Sequence, residues 1–235
     1  ARQYSIASPR NGERPGYNNL SRTVKRVLED HQGRPVRGVA SNYLCDAKPG
    51  DRVRLTGPSG KRFVLPADPG SHDYVFFATG TGIAPFRGML KELFESPGRA
   101  PHAGRVTLVM GCAYASDLLY DQELRAMAAS HAGFRYLTAI SRETQETSAG
   151  RRTLYVQDQI GLDPQLKDLL GGERTLVYVC GIAGMELGIL RAIATELRDS
   201  SGVRAAGYLE WDAQVGDGIE AGAPGFKEII LKPAF

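Results

Sequence analysis

The amino-acid sequence predicts an α/β domain built on a parallel sheet, preceded by an antiparallel β region. Three observations predict it. Apolar strand patterns alternate with helical patterns after residue 72, three of those strands run into turns of small residues, and the stretch before them holds short β-like segments divided by Gly and Pro. The texture changes at Pro69-Gly70-Ser71-His72, so the two units are expected at residues 1–72 and 73–235.

Upstream of that change, residues 20–28 mix Thr23, Val24 and Val27 with basic residues. Arg52-Val53-Arg54-Leu55 alternates cleanly, and Arg62-Phe63-Val64-Leu65 is a further short candidate. Pro49-Gly50, Gly57-Pro58 and Ser59-Gly60 punctuate them, the pattern of an antiparallel sheet with turns. Downstream, Tyr74-Val75-Phe76-Phe77-Ala78 reads as a buried strand, followed by Phe86, Met89, Leu90, Leu93 and Phe94 at helical spacing. Residues 106–110 form a second strand. A helix is expected after it, with Ser116 as its cap and Leu118, Leu119 and Leu124 on it. Residues 134–140 and 176–180 complete the strands, and Met185, Ile189, Ile193 and Leu197 mark one apolar helix stripe. The polar residues 144–150 read as a mobile loop.

Composition bounds the function. The 235 residues are 42 % hydrophobic and 23 % charged, which excludes a disordered or collagen-like chain. The net charge of +3 suits one anion site but not a nucleic-acid surface, which needs clustered Lys and Arg. No apolar run approaches the roughly 20 residues of a membrane helix. Cys45, Cys112 and Cys180 are odd in number and lack C-x-x-C spacing, so neither a disulfide framework nor a metal or iron–sulfur site is expected. A reducing, cytoplasmic setting follows.

The strongest chemical signal is Ala78-Thr79-Gly80-Thr81-Gly82-Ile83-Ala84-Pro85-Phe86. A buried strand runs into small residues and then into a helix, whose unpaired amides can receive a phosphate. Taken alone, it is equally an ordinary tight turn. Gly111-Cys112-Ala113 and Cys180-Gly181-Ile182-Ala183-Gly184 close two further strands in the same way, and three such turns favour a nucleotide crevice. Ser141-Arg142 ends another strand, where a guanidinium can fork onto a phosphate. Arg151, Arg152, Tyr155 and Gln157 follow; a solvated basic loop is the plainer reading of that spacing. Arg2-Gln3-Tyr4-Ser5 and Gly38-Val39-Ala40-Ser41 are weak signals on their own, the second reading as a helix start capped by Ser41.

In order along the chain, these segments resemble the plant-type ferredoxin–NADP reductase family. The resemblance is carried by Arg2-Gln3-Tyr4-Ser5, Thr23-Val24-Lys25-Arg26, Gly38-Val39-Ala40-Ser41-Asn42, Gly80-Thr81-Gly82-Ile83-Ala84-Pro85-Phe86-Arg87, Leu118-Leu119-Tyr120, Ser141-Arg142, Tyr155-Val156-Gln157 and Cys180-Gly181-Ile182-Ala183-Gly184-Met185-Glu186. Within the family, residues 5–46, with Pro9-Arg10-Asn11-Gly12-Glu13-Arg14-Pro15, resemble the reductase components of bacterial benzoyl-CoA epoxidases. The resemblance implies an FAD-binding antiparallel β-barrel followed by an NADP-binding α/β domain.

It also implies residue roles. Arg2 would hold the FAD diphosphate, Tyr4 would stack on the isoalloxazine, and Ser5 would reach N5 as a catalytic hydrogen-bond donor. Thr23, Val24 and Lys25 would line the flavin's tail, and Val39, Ala40 and Ser41 would cradle its diphosphate. Thr79, Thr81 and Gly82 would lie between flavin and NADP pyrophosphate, with Cys112 and Ala113 in the next nucleotide turn. Ser141, Arg142, Tyr155 and Gln157 would grip the 2′-phosphate end. Cys180, Gly181 and Ile182 would shape the nicotinamide pocket, Cys180 sterically. The partner implied is an iron–sulfur acceptor, a ferredoxin or an oxygenase component.

Some positions depart from the family pattern. Its C-terminal Glu and aromatic residue are not evident; Phe235 or the pair Glu210-Trp211 would stand in. Glu29 replaces an adenine-stacking Tyr, and Thr153 a phosphate-binding Lys. About 70 residues before the α/β part are too few to close a barrel, so the first strands are expected to lie outside this numbering. Two other functions stay open on sequence: an NADH-dependent oxygenase reductase, and a non-catalytic nucleotide-binding module.

Overall fold

The computed structural model describes residues 2–14, 16–30, 32–58 and 63–197 and the backbone of residues 229–231. From residue 73 onward strands and helices alternate. Strands β1 (Asp73–Thr79), β2 (Val106–Cys112), β3 (Phe134–Ile140), β4 (Thr175–Cys180) and β5 (Ile229–Leu231) form one parallel sheet in the order β3-β2-β1-β4-β5.

The apolar runs of these strands follow from burial on both faces. Successive residues of β1 point to opposite sides. Tyr74, Phe76 and Ala78 enter one core with helices α2 (Ile83–Phe94) and α3 (Asp121–Ser130), while Val75 and Phe77 enter a second core. Helices α4 (Asp158–Leu162), α5 (Pro164–Gly171) and α6 (Met185–Glu196) cover the second side. Phe76 stacks on Phe86 at 4.8 Å between centroids, and neither ring is exposed to water. Burying rings of this size contributes about 1.5–3 kcal/mol each.

Residues 1–72 differ from expectation. Among the described residues they form no continuous antiparallel ladder. The isolated bridges Ile6–Arg22 and Glu29–Pro35 are the sheet pairing there, and helix α1 (Val39–Asp46) follows. The expected strand at 52–55 is exposed and unpaired in any ladder, because no neighbouring strand lies beside it among the described residues. The candidate at 62–65 is no strand over its described part. Instead Phe63 packs edge-on against Tyr178 at 5.5 Å, and the Tyr178 hydroxyl donates to the Val64 carbonyl at 2.9 Å. Burial against the α/β core has displaced strand pairing.

Three local expectations are also corrected. Ser116 lies in a 3-10 turn (Ala115–Asp117) and α3 begins only at Asp121, after Tyr120 in the left-handed conformation; Leu118 and Leu119 therefore precede the helix. Ser41 is not the cap of α1, which starts after Gly38. Residues 144–150 are tied down, with Gln145 bridged to Arg152 and its side-chain oxygen accepting from the Ile140 amide at 2.6 Å. No described helix is long and apolar enough to cross a membrane.

Candidate functional site

The strand order reverses at the centre of the sheet. From β1 the chain proceeds outward through β2 and β3 on one side, then returns to β4 and β5 on the other. Ligands of open parallel sheets bind at such a switch point, beyond the carboxyl ends of the strands. The register places Ala78 beside Cys180 and Thr79 beside Gly111. Four of the sequence-selected turns are thus brought to one edge: Ser141-Arg142, Cys112-Ala113, Thr79 to Gly82, and Cys180 to Ile182.

Backbone proximity at the switch point demands small residues. A Cβ on Gly82 would collide with the carbonyl of Cys180, so only glycine lets the two turns close on each other. The Gly80–Gly82 segment is a 3-10 turn that leads directly into α2, whose first amides have no side-chain cap. The Ile83 amide is taken by the Gly80 and Thr81 carbonyls and Pro85 has no N–H, so donors for an anion come from the turn itself rather than from the first turn of α2. Thr79 is half-buried. Its hydroxyl accepts from the Ile182 amide at 2.9 Å and donates to Met185 Sδ at 3.3 Å. Thr81 and Ile182 face solvent, Ile182 with 71 % of its surface exposed.

The β2 and β3 ends are joined as one shelf. The Ser141 amide donates to the Cys112 carbonyl at 3.0 Å and the Arg142 amide to the Ala113 carbonyl at 2.9 Å. The exposed Arg142 guanidinium lies 5.9 Å from the centroid of Tyr114, and Tyr155 adds to its electrostatic surroundings. Tyr155 is exposed, while Gln157 sits half-buried at the end of the following turn, beside Gly188 of α6. This edge therefore carries a cation, two exposed phenols and uncapped amides, which fits a phosphorylated nucleotide.

The thiols here are not nucleophiles. Burial, with Asp117, Glu143 and Asp121 nearby, pushes Cys112 up to about 11, so it stays protonated at neutral pH. Its Sγ donates to the Tyr114 carbonyl at 3.0 Å. Cys180 is buried in the first core, and no disulfide joins the three cysteines.

The N-terminal candidates form a second group. Arg2 is exposed, and Tyr4 and Ser5 are half-buried. Thr23 meets the α/β part directly, its hydroxyl 2.7 Å from that of Tyr120. Val24 is half-buried and Lys25 exposed. At the start of α1, Val39 is 89 % exposed and the first-turn amides lack a side-chain cap, which fits a diphosphate. Ser41 is buried, and its hydroxyl is engaged inward, accepting from the Val27 amide at 3.2 Å. It can offer an anion only its amide. Glu29 and Thr153 are exposed, and the stand-ins Phe235, Glu210 and Trp211 lie outside the described residues.

Sequence reasoning assigned no role to two groups. Tyr114 under Arg142 has no signal beyond being an aromatic residue near a strand end. Arg87 was legible only as a motif member; its partners Glu13 and Glu123 come from distant segments.

An α/β domain of the dinucleotide-binding type is the class these features define. Residues 76–190 match the family model described as the oxidoreductase NAD-binding domain. The chain is 41 % identical over 211 residues to the chloroplastic ferredoxin–NADP reductase leaf isozyme 1 of Oryza sativa subsp. indica, covering 88 % of this chain and 57 % of the relative. It is 40 % identical over 222 residues to the cyanelle ferredoxin–NADP reductase of Cyanophora paradoxa, covering 91 % and 57 %. Among solved structures, ferredoxin–NADP+ reductase from Plasmodium falciparum with 2′P-AMP superposes with a TM-score of 0.66 at 26 % identity, covering 84 % of this chain and 73 % of that one. The chain is similar to ferredoxin–NADP reductases over most of its own length, and it spans about 57 % of the length of these curated relatives.

Proposed function

We propose that the protein is an NADPH-dependent flavin oxidoreductase that passes electrons from NADPH, by way of FAD, to a ferredoxin. Residues 73–235 act as its NADP-binding unit, and residues 1–72 as part of its FAD-binding β-barrel unit. One observation carries the reading: the turn at Thr79 to Gly82 and the turn at Cys180 to Ile182 close on each other at the switch point, with Arg142 presented along the same edge. The printed names of the relatives support the coenzyme and the ferredoxin partner.

Bound FAD would supply the chemistry that accepts two electrons at once and releases them singly. The chain's own residues bind and orient. The Gly80–Gly82 turn receives the coenzyme's pyrophosphate on backbone amides. Ser141, Arg142, Tyr155 and Gln157 take its 2′-phosphate end, Arg142 supplying charge and Tyr155 a stacking face. Cys112 and Ala113 line the groove between them. Cys180, Gly181 and Ile182 shape the nicotinamide end and exclude water. Arg2 and the amides of Val39, Ala40 and Ser41 hold the FAD diphosphate, Tyr4 packs on its ring system, Thr23, Val24 and Lys25 line its tail, and Ser5 donates a hydrogen bond to its reacting edge.

Charge distribution supports an acidic acceptor. Residues 1–62 hold 13 of the 29 Lys and Arg but only 5 of the 26 Asp and Glu, so the basic excess is confined to the flavin side. The names of the relatives favour ferredoxin over an oxygenase component. Three thiols without a disulfide suit a reducing compartment such as the cytoplasm. The test is NADPH-driven reduction of a plant-type ferredoxin by the full-length, flavin-loaded protein. Turnover with NADPH well above that with NADH is expected; no ferredoxin reduction with either coenzyme would overturn the proposal.

A further inference from the structure

Arg87 of α2 sits one turn beyond the Gly80–Gly82 turn, and its side chain is only 11 % exposed. Its guanidinium donates from Nε to Glu123 of α3 at 2.9 Å and from Nη1 to the Ala7 carbonyl at 3.0 Å. Both terminal nitrogens reach Glu13, which also accepts from the Ser21 hydroxyl. The group lies 4.8 Å from the centroid of Tyr120, whose own hydroxyl meets that of Thr23. Beside it, Gly88 lets the Ser8 carbonyl press onto α2; a Cβ there would stand 2.7 Å from that oxygen.

A buried ion pair is poor evidence of stability, because desolvating the charges offsets most of their attraction. What a planar fork held on several sides does fix is geometry. Here the held parts are residues 7–8, 13 and 21 on one side, and the helix that opens with the Gly80–Gly82 turn on the other. We infer that Arg87 and Tyr120 are positioning residues for hydride transfer, holding residues 5–8 and 21–23 in register with the Gly80–Gly82 turn. The inference rests on the proposed function, which assigns the first set to the flavin and the turn to the coenzyme.

The test uses the full-length, flavin-loaded protein with Arg87→Met, Arg87→Lys and Tyr120→Phe. Amide hydrogen exchange at Ala7, which donates to the Ser21 carbonyl at 2.8 Å, is compared with exchange at Phe76 in the core. Stopped-flow mixing with NADPH gives the rate of flavin bleaching and its half-saturating concentration. In Arg87→Met, exchange at Ala7 is expected to rise with Phe76 unchanged, and the limiting rate to fall about ten- to hundred-fold, the cost of a small misplacement. Half-saturation should change less than about two-fold if coenzyme binding itself is intact. Arg87→Lys should recover part of the rate, and Tyr120→Phe should lose less in the same direction. If Arg87→Met does not fold, Tyr120→Phe decides by the same readings. Faster exchange with an unchanged limiting rate, or a change in half-saturation alone, would make the cluster merely structural and overturn the inference. Wild-type protein that NADPH does not bleach would overturn the proposed function and the inference together.

Discussion

The Thr79 hydroxyl accepts a hydrogen bond from the Ile182 amide at 2.9 Å, joining the end of β1 to the turn after β4 across the switch point. Thr79→Val keeps the shape and leaves the Ile182 amide without its partner. Stability in urea should fall by about 0.5–1 kcal/mol, the net worth of one hydrogen bond at an exposed site where water can replace the partner. Thr79→Ser should restore most of it. Equal midpoints for the wild type and Thr79→Val would contradict the role.

Arg142 presents its charge over Tyr114 at the β3 end. If it grips the 2′-phosphate, Arg142→Ala should raise the dissociation constant for 2′-phospho-AMP about ten-fold or more, as expected for one lost charge-assisted contact. Binding of AMP, which lacks that phosphate, should barely change. Calorimetry on both ligands checks this, and equal losses would remove the assignment.

His102 gives stability a pH dependence. Its Nε2 is buried without a hydrogen-bond partner, between the Tyr74 and Phe94 rings. Burial lowers its pKa below the usual 6.5, with Asp73 and the His72 backbone opposing the shift and Arg174 assisting it. The folded protein thus disfavours the proton that the unfolded chain takes up. The resulting stability is full above about pH 6.5 and is lost as pH falls toward the lower, folded-state value. His102→Phe removes this proton site. Its urea midpoint should fall less than the wild type's between neutral pH and pH about 5.5; parallel curves would contradict the assignment.

Asp163 ends α4 and starts α5. One oxygen accepts from the Leu166 amide at 2.7 Å, and both accept from Arg135, at 2.9 and 2.6 Å. Asp163→Ala removes the cap and strands a half-buried guanidinium. A loss of about 2–4 kcal/mol is expected in urea denaturation, and Asp163→Asn should recover the cap but not the ion pair.

Fold and site were legible to different depths. Strands β1, β2 and β4 read directly because parallel strands buried on both faces are near-continuous apolar runs; β3, a half-buried edge strand, still begins and ends where the sequence placed it. Helices α4 and α5 went unread. Both are short, yet Asp163-Pro164 is the cap-and-proline start that marked α5. Residues 52–55 alternate like a strand, but alternation without a neighbouring strand makes no ladder. At the site, small residues at strand ends announced the turns. The direction of the Ser41 hydroxyl was not readable, since Ser41 suits a cap as well as an inward bond to Val27. Nor was the pairing of Arg87 with Glu13, 74 positions apart, which only the folded chain brings together.

The most direct measurement mixes the full-length, flavin-loaded protein anaerobically with NADPH or NADH and follows flavin absorbance. The account predicts rapid bleaching by NADPH and much slower bleaching by NADH, with Arg142→Ala narrowing the gap. Flavin left oxidised by NADPH, or bleached equally fast by both, would contradict it.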